Sequence, residues 1–349
     1  MKPLHAFFLT CMILSAFTPQ HANGQKRYFA VKPVEYLEDG RNLHFPVFYN
    51  NPANAATTSK INQQLQLSEL ELLKGFQTKN IFERINYNNG TIYGGKWQMT
   101  YDLFTNNNRL LSLGFDESSS GMTTAYWTRY YNFNAGNGDL IQLSDLFTPA
   151  GFKLFKSLAI KKSVRAFKEQ IHAAGEPDSV WQDVIRYIGE YVTEDFYIKG
   201  NSIILNGDNR LSKNQKGWDM IVKFGLSSFG GYLNQYGRCV FGLTNQPIAQ
   251  YRSVSLPQLF TGKIDKYPIL FILRSSNYHD CEGVYCYQKY GRGISMQGDM
   301  VNGQIKLDEY DSDFNTKAHI TGRASPDSVT GTWAKSPKGQ SFRLLVYRK

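Results

Sequence analysis

The sequence contains few of the residues most often used for catalysis and metal binding. Of its 349 residues only six are histidines and four are cysteines. No histidine pair has the HExxH spacing of a helical zinc site. The segment closest to the serine hydrolase pattern G-x-S-x-G, residues 225–229, has Phe229 where the second glycine belongs. We therefore expect no bound metal, no cofactor and no catalytic residue of these classes.

Long apolar runs are also absent after the start of the chain. Lys2 is followed by an apolar run of 12 residues, Ala6–Phe17, and then by the small residues Ala22-Asn23-Gly24. A membrane-spanning helix needs about 20 apolar residues, so this run is too short. The pattern predicts that residues 1–24 are a secretory signal peptide. We expect a periplasmic or secreted protein with no transmembrane span once this segment is removed.

The charge balance is strongly basic. The formal net charge is +10, and removal of Lys2 with the signal peptide leaves +9. Such a protein is attracted to polyanions, which outside the cytoplasm include envelope phosphates, acidic glycans and wall polymers. Export argues against nucleic acid as the partner. An equally simple interpretation is that the charge only keeps the protein soluble.

The mature chain has an odd number of cysteines, Cys239, Cys281 and Cys286. An oxidising compartment favours one disulfide. We expect Cys281–Cys286, because the segment between them could turn back at Gly283. The same C-x4-C spacing is half of a metal site, but the chain has no second cysteine pair to complete four ligands.

Hydrophobic periodicity divides the mature chain into two parts. The first, residues 25–245, mixes aromatic strands with helices, and its clearest helix starts at Thr148-Pro149 and ends at Gly175. A seam at 246–265 is predicted to be a linker. The second part, 266–349, shows only strands at spacings of 8–12 residues, which predicts an antiparallel meander or small barrel. The fold class is therefore α+β followed by an all-β domain.

The order of residues in the first part resembles a known extracellular domain family. The resemblance lies in these segments: Tyr130–Asn134, Gly138-Asp139, Leu140–Phe147, the lysine-rich helix that starts at Thr148-Pro149, Phe196–Ile198, Ile203–Leu205 and Ile221–Phe224. The family is shared by the lysozyme-sensing anti-sigma factor RsiV and the region ahead of the deacetylase PdaC. The resemblance covers roughly residues 28–236. It implies a curved antiparallel sheet packed on two or three helices, and a binding or sensing module rather than an enzyme.

This sequence also departs from that family. The usual tyrosine-and-proline strand after Ile203–Leu205 is replaced by residues 206–210, and no deacetylase domain is present. The second part is similar to small β-domains that end exported envelope proteins, through Ile294–Gly298 and the Gly-Thr-Trp motif at Trp333. That second likeness implies no chemistry.

Several acidic segments resemble sites without completing them. Asp311, Asp313 and Asn315 imitate the start of a calcium loop, but the twelfth position is Gly322 instead of a bidentate glutamate. A glycosidase needs two facing carboxylates. The pairs 116–117 and 194–195 supply carboxylates, although the sequence does not indicate whether either pair faces a cleft.

The most promising binding surface combines a basic helix with an aromatic strand. Six cations could attract a polyanion, and four aromatic side chains could stack on sugar rings; they are Lys153, Lys156, Lys161, Lys162, Arg165 and Lys168 on the helix, and Tyr126, Trp127, Tyr130 and Tyr131 on the strand. The simpler interpretation is a solvated helix face above aromatic core residues.

The sequence therefore favours an exported, non-catalytic binding protein of the cell envelope. Its expected ligand is peptidoglycan or another envelope polymer, or a lysozyme-like protein as the family resemblance implies. A basic protein gains no electrostatic steering toward a basic lysozyme, which favours the polymer. The alternatives are a wall-active hydrolase that uses carboxylates such as Asp116 and Glu194, and a structural envelope protein.

Overall fold

The structure is a computed structural model that describes part of the chain, namely residues 28–49, 54–86, 95–119, 124–208, 211, 217–275, 280–310, 315–336 and 338–349. The predicted signal peptide, residues 1–24, lies outside this range, and so do Asp311 and Asp313 of the acidic segment. Within the described ranges, no helix combines the length and the apolar character needed to cross a membrane.

The described residues form sixteen strands and five α-helices in an α+β arrangement followed by an all-β barrel. The strands are β1 (Ala30–Tyr36), β2 (Asn42–Tyr49), β3 (Lys96–Asn106), β4 (Leu110–Ser119), β5 (Ala125–Asn134), β6 (Phe196–Lys199), β7 (Ser202–Asn206), β8 (Ile221–Gly225), β9 (Gln258–Ile264), β10 (Tyr267–Ser275), β11 (Asp280–Tyr287), β12 (Gly293–Val301), β13 (Gln304–Tyr310), β14 (Thr316–Ala324), β15 (Ser328–Ala334) and β16 (Ser341–Arg348). The helices are α1 (Ala55–Leu65), α2 (Pro149–Ala173), α3 (Gln182–Glu190), α4 (Leu226–Phe229) and α5 (Gln235–Val240).

Strands β1 to β5 form one sheet in sequence order. Neighbouring strands are antiparallel except β2 and β3, which run parallel at Asn42–Leu43. The chain between β2 and β3 includes α1, and a crossover of this kind returns the chain in the same direction. The expected sheet is therefore correct apart from this one pair. Its inner face buries Phe45 and Phe115, whose rings stack 5.8 Å apart, against Ile61 and Leu65 of α1.

Helix α1 is shorter than its hydrophobic spacing suggests. The apolar spacing continues to Phe76, but a π-helical turn, Gln66–Leu70, follows α1 and the chain leaves it at Glu71 with a φ of 50°. The wider turn places Glu69 in the protein interior, where it is 1% exposed. A buried charge of this kind is retained only with partners, which are described below.

Strands β6 to β8 form a second, smaller sheet that α2 covers. Helix α2 begins where the sequence predicts, because Thr148 Oγ1 accepts a hydrogen bond from the Gly151 amide at 2.9 Å. Phe155 packs edge-on against Phe224 of β8, with the ring centroids 5.2 Å apart. Strand β6 also lies on the outer face of the first sheet, since Ser112 Oγ accepts from the Ile198 amide at 3.1 Å.

The C-terminal strands close into a barrel in which β9 pairs with both β10 and β16. The sequence left open a meander or a small barrel, and the barrel is observed. The first barrel strand, Gln258–Ile264, lies inside the segment 246–265 that was expected to be a linker. This strand was missed because Ser255-Leu256-Pro257 interrupts the alternation just before it begins.

The predicted Cys281–Cys286 disulfide is not formed. Both thiols are free and buried, and both residues lie on the single strand β11. Residues five apart on a strand point to opposite faces and are separated by roughly 16 Å, whereas a disulfide needs Cα atoms within about 7 Å. The expected reversal at Gly283 does not occur, because that residue pairs within the ladder with Leu273 and Met296.

The barrel is fixed to the N-terminal part by a buried ion cluster. Asp139 lies in the turn after β5, and Arg348 is at the end of β16. Asp139 Oδ2 is 2.8 Å from Arg348 Nη2, and Asp139 Oδ1 is 2.5 Å from Lys60 Nζ of α1. All three side chains are 5% exposed or less. We call these three residues the Asp139 cluster.

Candidate functional site

A cleft of about 500 Å³ opens at the start of β5, the edge strand of the first sheet. We call it the Trp127 cleft, and its described lining residues are Gln98, Asp116, Glu117, Tyr126, Trp127, Thr128, Asp208, Leu211, Gly217, Trp218 and Asp219. Three aromatic residues and four acidic residues are thus among the lining, and three of the acidic residues, Asp116, Asp208 and Asp219, are not buried. No lysine or arginine is found among these lining residues.

Strand pairing sets one wall of the cleft. Asp116 of β4 is opposite Thr128 of β5, and Glu117 is opposite Trp127. Because side chains alternate along a strand, Asp116 and Thr128 occupy one face of the sheet and Glu117 and Trp127 the other. Residues from both faces are among the lining at this edge strand, but the side chain of Glu117 is fully buried, so the cleft side of the sheet presents Asp116 and Thr128.

The other wall is the segment that leads into β8, and the end of α2 holds it in place. Gln170 of α2 exchanges two hydrogen bonds with the backbone of Asp219, at 2.6 and 2.8 Å. The Trp218 ring packs edge-on against Phe167 and Trp181, with centroid separations of 6.0 and 5.4 Å. Trp218 therefore packs on the rings of Phe167 and Trp181 and also lines the cleft.

A buried carboxylate anchors Trp127. Glu117 is 3% exposed and accepts hydrogen bonds from the Trp127 indole N–H and from Lys96 Nζ. Burial, reinforced by the nearby charge of Glu69, raises the pKa of Glu117 to about 7. The hydrogen bond to Glu117 therefore holds the indole of Trp127, a lining residue of the cleft, in one orientation.

Glu69 completes the network behind this wall. Its carboxylate is 3.0 Å from Lys96 Nζ and 3.4 Å from Arg129 Nη1, and it accepts from the Tyr131 hydroxyl. Burial alone would raise the pKa of Glu69, but Arg129 and Lys96 outweigh burial and hold that pKa well below its usual range. Arg274 of the barrel strand β10 donates to the Tyr131 hydroxyl at 3.1 Å, so the network reaches the second domain.

The carboxylates in the cleft also affect one another. The pKa of Asp116 is raised by burial and by the charges of Asp102 and Asp208. Two hydrogen bonds hold Asp208 in place. Its backbone amide donates to Asn206 Oδ1 at 2.8 Å, and its Oδ1 accepts from the Met220 amide at 3.3 Å. The cleft is thus a local acidic region in a protein of net positive charge.

The structure separates the four aromatic residues that the sequence grouped. Tyr126, which is 59% exposed, and Trp127 line the cleft. Tyr130 instead stacks on Tyr197 with 5.1 Å between centroids, and its hydroxyl accepts from Asn206. Tyr131 is buried and donates to Glu69. Tyr130 and Tyr131 therefore have packing roles and do not contact the cleft.

The basic helix does not join these aromatic residues in one site. Helix α2 covers hydrophobic core with Phe155, Ala159 and other residues, and none of its residues is among the described lining of the cleft. Four of its six predicted cations have protein partners: Lys162 donates to the Lys223 carbonyl at 2.6 Å, Lys168 pairs with Asp178 at 2.5 Å, Arg165 pairs with Glu169 at 3.5 Å, and Lys156 Nζ lies 5.0 Å from the centre of the Phe152 ring. Lys153, Lys156 and Lys161 are exposed.

The two carboxylate pairs considered for a hydrolase do not meet. Asp116 and Glu117 line the Trp127 cleft, whereas Glu194 lines a separate cavity with Ser255 and Ser325. Burial and the neighbouring Asp195 raise the pKa of Glu194. One catalytic centre therefore cannot use both Asp116 and Glu194.

Sequence reasoning missed the far wall of the cleft. Asp208 and Trp218 lie far from β5 in the chain, and neither belongs to a recognisable motif. The available signal was the departure at residues 206–210 from the family pattern, because a segment that replaces a regular strand with polar residues often carries a site.

Comparisons with known proteins find similarity only in solved structures. No family model and no curated protein matches this chain. A member of the DUF3298 family from Bacteroides fragilis is similar with 11% identity and a TM-score of 0.43, over 63% of this chain and 100% of that chain. A DUF3298 family protein from Pseudomonas aeruginosa has 12% identity and a TM-score of 0.42, over 62% of this chain and 97% of its own.

The Glu117–Trp127 contact leads to a pH-dependent prediction. As pH rises through about 7, Glu117 loses its proton and accepts a stronger, charge-assisted hydrogen bond from the indole. We expect Trp127 fluorescence to change with a midpoint near 7, and we expect Glu117→Gln to abolish that transition. A titration from pH 5 to 9 measures this, and a transition that persists unchanged in the variant would contradict it.

The raised pKa of Glu117 also predicts how the free energy of unfolding changes with pH. The pKa of Glu117 is higher in the folded protein than the value of about 4.3 in an unfolded chain. The protonated Glu117 contributes its full stability below about pH 4.3, where the folded and the unfolded chain both hold the proton. Between about pH 4.3 and 7 the unfolded chain has released this proton and the folded chain still holds it, so the contribution is lost as pH rises. Denaturant unfolding at several pH values should therefore show the wild type losing stability relative to Glu117→Gln across that interval.

Proposed function

We propose that this protein is an exported, non-catalytic binding protein of the cell envelope and that the Trp127 cleft binds a neutral glycan segment of an envelope polymer. The observation that carries the proposal is the combination of aromatic rings with carboxylate acceptors in one cleft. Sugar rings present apolar faces that pack on aromatic side chains, and their hydroxyl groups donate to carboxylates. The volume of about 500 Å³ is in the range of small-molecule sites.

Charge decides which part of a polymer this cleft takes. Asp116, Asp208 and Asp219 would repel phosphate or carboxylate groups, so the anionic portions of an envelope polymer are disfavoured here. A chain of neutral N-acetylated sugars, such as the glycan strand of peptidoglycan, carries hydroxyl and amide donors without that repulsion. The basic net charge then serves general attraction to the envelope.

Two other functions remain as alternatives, each favoured by one observation. The raised pKa of Asp116 is a property of general acids, which favours a wall-active hydrolase using Asp116 and Asp208. The acidic character of the cleft favours a cationic ligand, such as a basic side chain of a lysozyme-like protein. A structural envelope protein with no ligand would need neither the exposed ring of Tyr126 nor the anchored Trp127.

The test is calorimetric titration with a neutral N-acetylglucosamine tetramer. We expect binding by the wild type and a loss of roughly 30-fold in Trp127→Ala, which corresponds to about 2 kcal/mol for a central aromatic contact. Tyr126→Ala, which leaves Glu117 undisturbed, is a second cleft variant and should also weaken binding. Tyr347→Ala removes a ring that is 56% exposed on the barrel and is the matched control.

The outcomes separate the alternatives. Binding of a neutral oligomer should change little between 0.05 and about 0.5 M salt, because screening acts on charges. If lysozyme binds in a salt-sensitive way and Asp116→Asn weakens that binding, the ligand of the cleft is a cationic protein and not a glycan. Release of reducing ends that Asp116→Asn abolishes would make the protein a hydrolase. Absence of wild-type binding to the oligomer would reject the proposal.

A further inference from the structure

A second cleft lies where the barrel meets the segment after α1. Its volume is about 610 Å³, and we call it the junction cleft; its described lining residues are Phe76, Arg84, Tyr287, Lys289, Tyr290, Arg292, Gly293 and Ile294. It shares no residue with the Trp127 cleft. Its charge is also opposite, since three cations and no carboxylate are found among these lining residues.

Backbone contacts fix the two sides of the junction cleft. The Leu73 amide donates to the Gly291 carbonyl at 2.8 Å, and the Gly293 amide donates to the Glu71 carbonyl at 2.7 Å. Gly291 has a φ of +61°, and a Cβ there would lie 2.3 Å from the Phe76 ring. Glycine is therefore required at this turn by both its conformation and the close approach of Phe76.

The acidic residues nearest to the cleft already have partners. Glu71 accepts from Ser295 Oγ at 2.9 Å and is 3.8 Å from Arg84 Nη2. Glu83 accepts from the Thr78 hydroxyl at 2.7 Å and from the Lys79 amide at 2.8 Å. These carboxylates partly offset the positive charge without entering the cleft.

Two arginine side chains bring positive charge to the cleft. Arg84 donates from Nη2 to the Gly293 carbonyl at 3.3 Å, which orients the side chain, and the side chain remains 33% exposed. Arg292 is exposed on the opposite side, and Lys289 lies 5.5 Å from the centre of the Tyr290 ring.

We propose that the junction cleft binds an acidic sugar, that is, a sugar ring carrying a carboxylate or a phosphate. Guanidinium groups bind both oxyanions through paired, charge-assisted hydrogen bonds, which Arg84 and Arg292 supply. Tyr290 is 58% exposed and Phe76 is 38% exposed, and these rings offer apolar surface to the sugar face. This proposal does not depend on the Trp127 cleft. It places the binding of a polyanion at the junction cleft, whereas the sequence had suggested the basic helix α2.

The experiment measures binding of four probes to the wild type by calorimetry. Glucuronate and glucose 6-phosphate distinguish a carboxylate from a phosphate as the preferred oxyanion. Glucose tests the need for charge, and inorganic phosphate tests the need for the ring. We expect at least one charged sugar to bind at least tenfold more tightly than glucose and than inorganic phosphate.

Substitutions then locate the site. Arg292→Gln should weaken binding of the charged sugar at least tenfold, and Tyr290→Ala should weaken it while leaving inorganic phosphate unaffected. Arg343→Gln removes an equal charge from an exposed position on β16 and is the control. The proposal is overturned if neither charged sugar binds, if glucose binds equally well, or if Arg292→Gln and Arg343→Gln have the same effect.

Discussion

Replacement of Asp139 by asparagine should lower the free energy of unfolding by about 3–5 kcal/mol, the usual cost of removing one member of a buried ion pair. The carboxylate of Asp139 is 1% exposed and has both Lys60 and Arg348 as partners. Burial already lowers the pKa of Lys60, against the opposing effect of Asp139. Without Asp139, two cations would remain in the interior with no compensating charge. Urea unfolding of the wild type and Asp139→Asn measures the difference.

The matched control is Asp183→Asn, which makes the same substitution in an exposed ion pair. Asp183 is 2.9 Å from Arg186, and the two side chains are 87% and 69% exposed. Solvent-exposed pairs contribute between zero and about 1 kcal/mol. Similar losses in the two variants would show that the Asp139 cluster does not hold the barrel to the N-terminal part.

Replacement of Glu69 by glutamine should have the second large effect, again about 3–5 kcal/mol. Glu69 is fully buried among Lys96, Arg129 and the Tyr131 hydroxyl. Glutamine preserves the size of the side chain but removes the charge that offsets these cations. Glu169→Gln is the control, because Glu169 forms an exposed pair with Arg165 at 3.5 Å and its loss should be small.

A second measurement shows whether Glu69 acts on the cleft. The charge of Glu69 is one cause of the raised pKa of Glu117. Without that charge, Lys96 and Arg129 favour the ionised form of Glu117, so its pKa should fall. The transition in Trp127 fluorescence should therefore move to lower pH in Glu69→Gln. An unchanged midpoint would contradict the coupling even if the variant is destabilised.

The sequence predicted helix ends well where a single residue type determines the backbone conformation. Thr148-Pro149 predicted the start of α2, and Thr148 caps it in the structure. Gly175 predicted its end, and that residue has a φ of +78°. Caps and left-handed glycines act within a few residues, so they can be read from the sequence without knowledge of the fold.

Prediction from local sequence failed where contacts with distant parts of the chain determine the backbone conformation. The spacing of apolar residues continued through Glu69, but the π-helical turn was not visible, and the cations that pair with Glu69 come from the distant strands β3 and β5. The cysteine pair on β11 looked like a turn because Gly283 permits one, whereas pairing with β10 and β12 keeps it extended. Tertiary pairing outweighed local preference in both cases.

The candidate sites show the same division. Tyr126 and Trp127 could be selected from an aromatic strand, but Asp208 and Trp218 reach the cleft only through the packing of β6 to β8. The junction cleft was not predicted at all, because Arg84 and Arg292 come together only when two domains meet. A sequence shows which side chains can stack or carry charge, but it does not show which of them converge.

Closure of the barrel has a consequence for the order in which the molecule assembles. Strands β9 and β16 pair through positions such as Ile264 and Leu344, contacts between the two ends of the domain that are entropically costly to form. Arg348 belongs to the same ladder, where it pairs with Phe260, so closure of the barrel and the contact of Arg348 with Asp139 involve the same end of β16. The Trp127 cleft needs none of these strands in its walls. We expect the N-terminal part to become structured first and docking of the barrel to be the slow, final step.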